Sequence, residues 1–157
     1  MESETISNQQ KYENYREQFK RLNKALANGF NLEAMFIEYA IIEDRTESIL
    51  RHAGLWDAYM RKRRDREPNV DSKIKYIRNC AESGVSELKK YFSDSLLDEI
   101  LVWKEDRNRL IHALLKQQLE HEEVSKLAVR GDALVKLLRN RCGSCNRAIE
   151  RKKKVEL

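Results

Sequence analysis

The scarcity of Pro and Gly is the feature that most constrains the fold of this chain. One Pro and 5 Gly are spread over 157 residues, while Leu, Lys, Arg and Glu are abundant. Strands need turns rich in Pro and Gly, whereas helix interiors exclude both and favour the abundant types. We therefore predict an all-α fold, as an antiparallel bundle of four main helices plus one or two short helices.

Apolar residues recur at spacings of three and four, which is typical of amphipathic helices. A first stripe, ending before Asn28-Gly29, consists of Tyr12, Tyr15, Phe19, Leu22 and Leu26. Asn31 can cap a second helix, closed by Gly54, whose stripe consists of Leu32, Met35, Tyr39, Ile42, Thr46, Ile49 and Ala53. Glu43 lies beside this second stripe, so we expect it to border the core.

After a polar connector at 61–69, the second half of the chain also shows apolar spacings typical of helices. Asp71 or Ser72 is predicted to cap the next helix, which ends at Gly84. Ser93 is predicted to open a helix with a broad apolar face, formed by Leu96, Leu97, Ile100, Leu101, Trp103, Leu110, Ile111, Leu114 and Leu115. A last stripe continues to Ile149.

The length suits one domain with a single sizeable core. Neither an internal repeat nor a long linker divides the 157 residues. We predict a single domain over 1–157, with a core from about 8 to 150 and a basic, frayed tail at 151–157.

The net charge and the hydropathy of the chain indicate which classes of partner to expect. The net charge of +5 favours a polyanion but does not distinguish RNA from an acidic protein. No run approaches the roughly 18 to 20 apolar residues of a membrane span, and the acidic start Met-Glu-Ser-Glu-Thr differs from a secretory signal. We therefore expect no membrane partner. Three cysteines make no disulfide framework, which fits a reducing compartment, so we expect a cytoplasmic protein.

One polar cluster is not explained by packing. The segment 105–115 reads Glu-Asp-Arg-Asn-Arg-Leu-Ile-His-Ala-Leu-Leu. His112 can exchange a proton near neutral pH, and Arg107 carries a permanent charge in a fork that matches phosphate oxygens. Asn108 and His112 share a helix face, whereas Arg107 lies about 140° from His112 around the axis. The cluster therefore indicates chemistry on a phosphate, completed by a partner surface.

The spacing of this cluster resembles a known motif. Arg107 is followed at once by a polar residue, and four residues separate it from His112. An Arg, a polar residue and a later His in an all-helical domain resemble the HEPN superfamily (higher eukaryotes and prokaryotes nucleotide-binding). Segments 38–45 and 73–77 look like the helices that precede this motif, so the resemblance covers roughly residues 30 to 140.

The resemblance implies a metal-independent endoribonuclease without a cofactor. In that mechanism the ribose 2′-hydroxyl attacks the adjacent phosphate, which spares DNA. His112 would be the general base or acid, Arg107 would stabilise the transition state, and Asn108 would orient a reacting oxygen. The family further implies a homodimer, a role in phage defence or a toxin-antitoxin system, and an antitoxin or regulatory protein as partner.

Two further groups have a functional and an ordinary interpretation. Glu43 could hold Arg107 in position across the bundle, or could form a common ion pair. Arg61, Lys62, Arg63 and Arg64 could bind an RNA backbone, or could be a solvated loop, since no aromatic residue interleaves within this run.

Other function classes stay open. The same cleft could serve a noncatalytic helical module that binds RNA, a nucleotide or a partner protein, and a purely structural dimerisation bundle is a third class. Burial of His112 at the edge of the core would favour the structural class. Cys142 and Cys145 lack the further ligands of a zinc site and are predicted to pack in the core, so no metal is expected.

Overall fold

The computed structural model describes residues 6–64 and 66–157, and these ranges contain helices but no strand. The helices are α1 (Asn8–Ala27), α2 (Asn31–His52), α3 (Trp56–Lys62), α4 (Val70–Glu82), α5 (Ser86–Phe92), α6 (Leu96–Ala113) and α7 (His121–Val155). The all-α prediction is confirmed. α3 and α5, of seven residues each, are the predicted short helices, while α4 is intermediate in length.

Contacts between side chains give the directions of the helices. Arg21 contacts Glu33 and Lys11 contacts Asp44, so α1 and α2 are antiparallel. α6 and α7 are also antiparallel, because residue 94 lies beside 141 and residue 106 beside 130. By contrast α2 and α7, the most extensively packed pair, run parallel, since residue 38 lies beside 131 and residue 48 beside 146. The segment between these two helices returns the chain to the end at which α2 began.

Local signals explain where the helices begin and end. Gly29, Gly54 and Gly84 follow helix ends with φ of 71°, 69° and 90°, a conformation that side chains with a Cβ disfavour. The predicted cap of α4 was wrong. Asn69 is the cap, and it exchanges hydrogen bonds with Ser72 in a capping box. Similarly α6 begins after Ser95, two residues later than predicted.

The buried face of α2 differs from the predicted stripe. Leu32 and Glu43 are exposed, as is the neighbouring Phe36, whereas Ile37 and Glu38 are buried. The physical reason is that α2 packs against α1, α4 and α7 together, so its buried face is broad and centred elsewhere. The expectation that Glu43 borders the core was therefore wrong.

Both ends of the α6–α7 hairpin also differ from expectation. Leu114 and Leu115 follow the end of α6 at Ala113 and are exposed, and Ile111 in its last turn is exposed as well. α7 continues to Val155, so residues 151–155 of the predicted frayed tail are helical, although exposed. In the described part of the chain, every helix is too short or too polar to span a lipid bilayer.

Candidate functional site

Trp103 fixes the position of α6 one turn before the motif. Its side chain is fully buried, and its Nε1 donates a hydrogen bond of 3.0 Å to the carbonyl of Leu127 on α7. A buried indole with a satisfied N–H is a strong packing anchor. The anchor sets the direction of the carboxyl-terminal part of α6, which carries the motif.

Arg107 is held by an aromatic ring and by its neighbour in sequence. Its guanidinium lies over the Tyr39 ring, 4.5 Å from the centroid, and its Nη1 donates to Asn108 Oδ1 at 3.2 Å. Burial lowers the pKa of this guanidinium, while the charges of Tyr39 and Glu38 oppose that effect. Arg stays protonated in proteins, so a half-buried permanent cation lies on this side of α6.

A hydrogen bond joins Arg107 to Asn108, whereas the described residues give His112 no hydrogen-bond partner. Asn108 and His112, four positions apart, are only about 40° apart around the helix. Arg107 thus contacts Tyr39 of α2 and the side chain of its neighbour Asn108. Because His112 is exposed, in the last turn of α6, the interpretation of it as a buried core histidine is wrong.

Glu38 is a buried acidic group that our sequence interpretation missed. Its exposed fraction is 0%, and neither carboxyl oxygen has a hydrogen-bond partner in the described part of the chain. Burial, and next the charge of Asp132, raise the pKa of Glu38 to about 9, against the opposing effect of Arg107. The carboxyl is therefore neutral at pH 7. Its position among Ala34, Met35 and Ile41 in the apolar rhythm was the signal that could have found it.

Gly131 of α7 makes room for this carboxyl. A Cβ at position 131 would lie 2.6 Å from Glu38 Cδ and 2.8 Å from Trp103 Cε2. Both distances are shorter than real Cβ contacts allow. α2, α6 and α7 thus meet in close contact at Gly131, beside Arg107.

Glu43 does not orient Arg107. In residues 6–64 and 66–157 the two side chains form no ion pair, and the Glu43 carbonyl accepts a hydrogen bond from Lys73 Nζ at 2.8 Å. The expectation was wrong because five positions along a helix turn the side chain by about 140° from that of Glu38. Glu38 is instead the α2 carboxyl that interacts electrostatically with Arg107 once it ionises in alkali.

Replacing Glu38 by Gln should remove a pH dependence of stability. The raised pKa means that stability from the neutral carboxyl is fully present below about pH 4.5 and is lost as pH rises through about 9. Between these values wild type should lose up to about 1.4 kcal/mol of unfolding free energy per pH unit. Glu38→Gln keeps the shape of the side chain but cannot ionise. Its free energy of unfolding, measured with denaturant, should therefore vary less with pH and exceed that of wild type at alkaline pH.

Glu33 provides the control for this variant, because it lies on α2 but is exposed. Glu33→Gln should leave the wild-type pH dependence in place. If the free energy of unfolding changed with pH in the same way in wild type and in Glu38→Gln, the assignment of a neutral buried carboxyl would be contradicted.

The basic run at the carboxyl end of α3 and just after it forms part of a pocket of about 540 Å³. Lys62, Arg63 and Arg64 line it, whereas Arg61 is exposed outside it. Tyr76 lies beneath Lys62, at 5.8 Å, and Tyr59 beneath Arg63, at 6.0 Å. The run lacks aromatic residues in sequence, but the fold brings two rings to it. The solvated-loop interpretation therefore misses a concave cationic surface.

Metal-binding residues are not clustered. Within the described ranges no group of three His, Cys, Asp or Glu side chains could hold a metal ion. Cys142 and Cys145 are fully buried on α7, as their apolar phase predicts. Burial raises the pKa of both thiols, with that of Cys145 at about 12, so neither is a ready nucleophile.

No family model matches the chain, and no curated protein or solved structure is significantly similar to it. The resemblance to the HEPN superfamily thus stays a prediction based on Arg107, Asn108 and His112.

Proposed function

We propose that this chain is a metal-independent endoribonuclease of the HEPN type, with Arg107, Asn108 and His112 as its catalytic residues. The hydrogen bond between Arg107 and Asn108 is the observation that carries the proposal. It joins a permanent cation to Asn108, which shares a helix face with the exposed His112, and a cation and a histidine are the residue types that phosphate chemistry uses.

The reaction begins with His112 taking the proton from a ribose 2′-hydroxyl. That oxygen forms a bond to the adjacent phosphorus, and the bond from phosphorus to the 5′-oxygen breaks, leaving a 2′,3′-cyclic phosphate. Arg107 stabilises the charge that grows on the phosphate oxygens, and Asn108 orients the hydroxyl or a phosphate oxygen. A protonated histidine returns a proton to the leaving 5′-oxygen.

A homodimer would supply a second histidine for the last step. Ile111, Leu114 and Leu115 support this part of the proposal, because they leave an apolar surface exposed next to His112. Apolar residues clustered beside a polar site are typical of contacts between proteins. The same surface would also suit an antitoxin or regulatory protein, in a cytoplasmic role in phage defence or a toxin-antitoxin system.

The pocket beside α3 is proposed to hold the RNA backbone. Lys62, Arg63 and Arg64 supply cations there, and exposed Arg61 adds charge at its border. Tyr76 offers a ring on which a base could stack. These residues would raise the affinity for RNA without taking part in the bond changes.

A noncatalytic module that binds RNA, a nucleotide or a partner protein is the second candidate. The packing of Arg107 against Tyr39 favours it, since a half-buried guanidinium over a ring can simply stabilise the fold. Such a module would bind RNA and leave it intact.

Incubation with RNA in EDTA separates the two candidates. We expect wild type to cut a single-stranded RNA with or without EDTA, and to leave DNA of the same sequence intact, because DNA lacks the attacking hydroxyl. Gel electrophoresis of end-labelled strands gives the result. Cleavage that requires added metal, or equal cleavage of DNA, would count against the proposal, and binding without cleavage would establish the second candidate.

A further inference from the structure

A second cationic surface lies between α1 and α7. It is a groove of about 820 Å³, and its cations come from α1, from α7 and from the neighbouring α2: Lys11, Arg16, Lys20, Arg45, Arg139 and Arg147. No carboxylate belongs to its lining residues. The groove is therefore a concentrated region of positive potential.

Most of this charge is free to meet a ligand. Lys11 and Arg45 share the Asp44 carboxylate on the border of the groove. In contrast Arg16, Lys20 and Arg147 have no carboxylate within ion-pair distance in the part of the chain that the structure describes, and all three are exposed. Unpaired cations on both walls favour an anion that extends along the groove.

Aromatic rings alternate with these cations. Tyr12, Tyr15 and Phe19 lie on one side of α1, and guanidinium groups cover the last two rings at 4.3 and 4.4 Å. Tyr12 was predicted to join the core, but 60% of it is exposed. The Arg16 guanidinium lies 5.9 Å from the Tyr12 ring centroid, and a largely exposed ring within a cationic groove is a platform for a nucleobase.

The groove is separate from the catalytic candidate. α6 contacts α7 at Leu127 and Gly131, and Arg139 and Arg147 lie about 120° and 200° around the helix from Leu127. A ligand in the groove would thus bind to another side of α7. Binding in this groove does not depend on the proposed ribonuclease function.

We propose that this groove binds single-stranded nucleic acid, through its phosphates and by stacking on Tyr12. A single strand fits better than a duplex, because neighbouring helix axes lie only about 8 to 10 Å apart. It also fits better than an acidic peptide, because aspartate and glutamate side chains carry charge but no ring to stack.

Fluorescence anisotropy with a labelled 20-nucleotide oligo(dT) tests the proposal. DNA is chosen because it lacks the 2′-hydroxyl, so binding is measured even if RNA is cut and even if the ribonuclease proposal fails. The variant Lys20→Gln/Arg147→Gln removes one free cation from each wall. We expect at least tenfold weaker binding at moderate salt, and a slope of log affinity against log salt that is smaller by about 1.4.

The matched control is Lys89→Gln/Lys90→Gln, which removes the same charge from exposed positions of α5. It should bind like wild type. An equal loss of affinity in both double variants would overturn the proposal, since it would show a response to net charge alone. Circular dichroism confirms that each variant remains helical.

Variants of Tyr12 test whether a nucleobase stacks on its ring. Tyr12→Ala should weaken oligo(dT) binding about tenfold, and Tyr12→Phe should restore it, because a ring without the hydroxyl still stacks. Full competition by poly-glutamate at the same charge concentration, together with no effect of Tyr12→Ala, would assign the groove to an acidic protein and overturn the proposal.

Discussion

Replacing His112 by Ala is expected to lower the rate of RNA cleavage by at least about 100-fold, because general acid-base catalysis by a positioned side chain contributes roughly 10² to 10⁴. The fold should survive, since His112 is exposed and the described residues give it no hydrogen-bond partner. The measurement is the initial rate on end-labelled RNA in EDTA, with thermal unfolding as the test of folding.

His52 is the matched control, because it is the exposed histidine at the carboxyl end of α2. Its carbonyl accepts from Lys153, whereas Asp106 of α6 pairs with Arg130. These two points on α7 are about 35 Å apart at 1.5 Å per residue. His52→Ala should therefore cut RNA at the wild-type rate. Equal loss in both variants, or no loss in His112→Ala, would remove His112 from the catalytic assignment.

Gly131→Ala is expected to destabilise the fold by about 2 kcal/mol or more, which is the scale of overpacking in a core. The new Cβ would meet Glu38 Cδ at 2.6 Å and Trp103 Cε2 at 2.8 Å, and both side chains are fully buried. The clash must exceed the roughly 1 kcal/mol that Ala gains over Gly in a helix. Urea unfolding monitored by circular dichroism gives the change.

Gly143 provides the control on the same helix. A Cβ there would lie 3.4 Å from Arg147 Nη1, the end of a flexible side chain, so Gly143→Ala should stabilise the protein slightly. Adding Glu38→Ala to Gly131→Ala removes one of the two clashes. The double variant should be less destabilised than the sum of the single changes. A Gly131→Ala protein as stable as wild type would contradict the close packing of α2, α6 and α7.

Helix ends could be predicted where a local conformation decides them. Gly29, Gly54 and Gly84 adopt positive φ in the structure, and the sequence interpretation placed helix ends at each. The all-α class follows from the same scarcity of Pro and Gly. These features depend on a few neighbouring residues, so one sequence contains the information.

Packing between distant helices could not be predicted in this way. The stripe proposed for α2 included Leu32, yet the true face includes Glu38, because three helices surround α2. A buried acid contradicts the usual rule that charged residues face water. Its neighbours at 107, 131 and 132 are far away in sequence, so only the fold identifies the group that acts on Arg107.

In the candidate site, too, some features could be predicted from the sequence and others only from the fold. The residue types and spacing of Arg107, Asn108 and His112 were evident from the sequence. The contacts of Arg107 depend on side-chain conformation, namely its stacking on Tyr39 and its hydrogen bond to Asn108, and the sequence did not predict them. The groove between α1 and α7 was missed altogether, since its walls are over 100 residues apart in the chain.

The most direct test of the ribonuclease proposal uses a DNA 20-mer that contains a single ribonucleotide. Wild type and His112→Ala are incubated with it in EDTA, and mass spectrometry identifies the ends of the fragments. We predict one cut by wild type, directly after the ribonucleotide, with a 2′,3′-cyclic phosphate and a 5′-hydroxyl, and no cut by His112→Ala. An uncut strand with wild type, a cut elsewhere, or the same cut with His112→Ala would contradict the proposal.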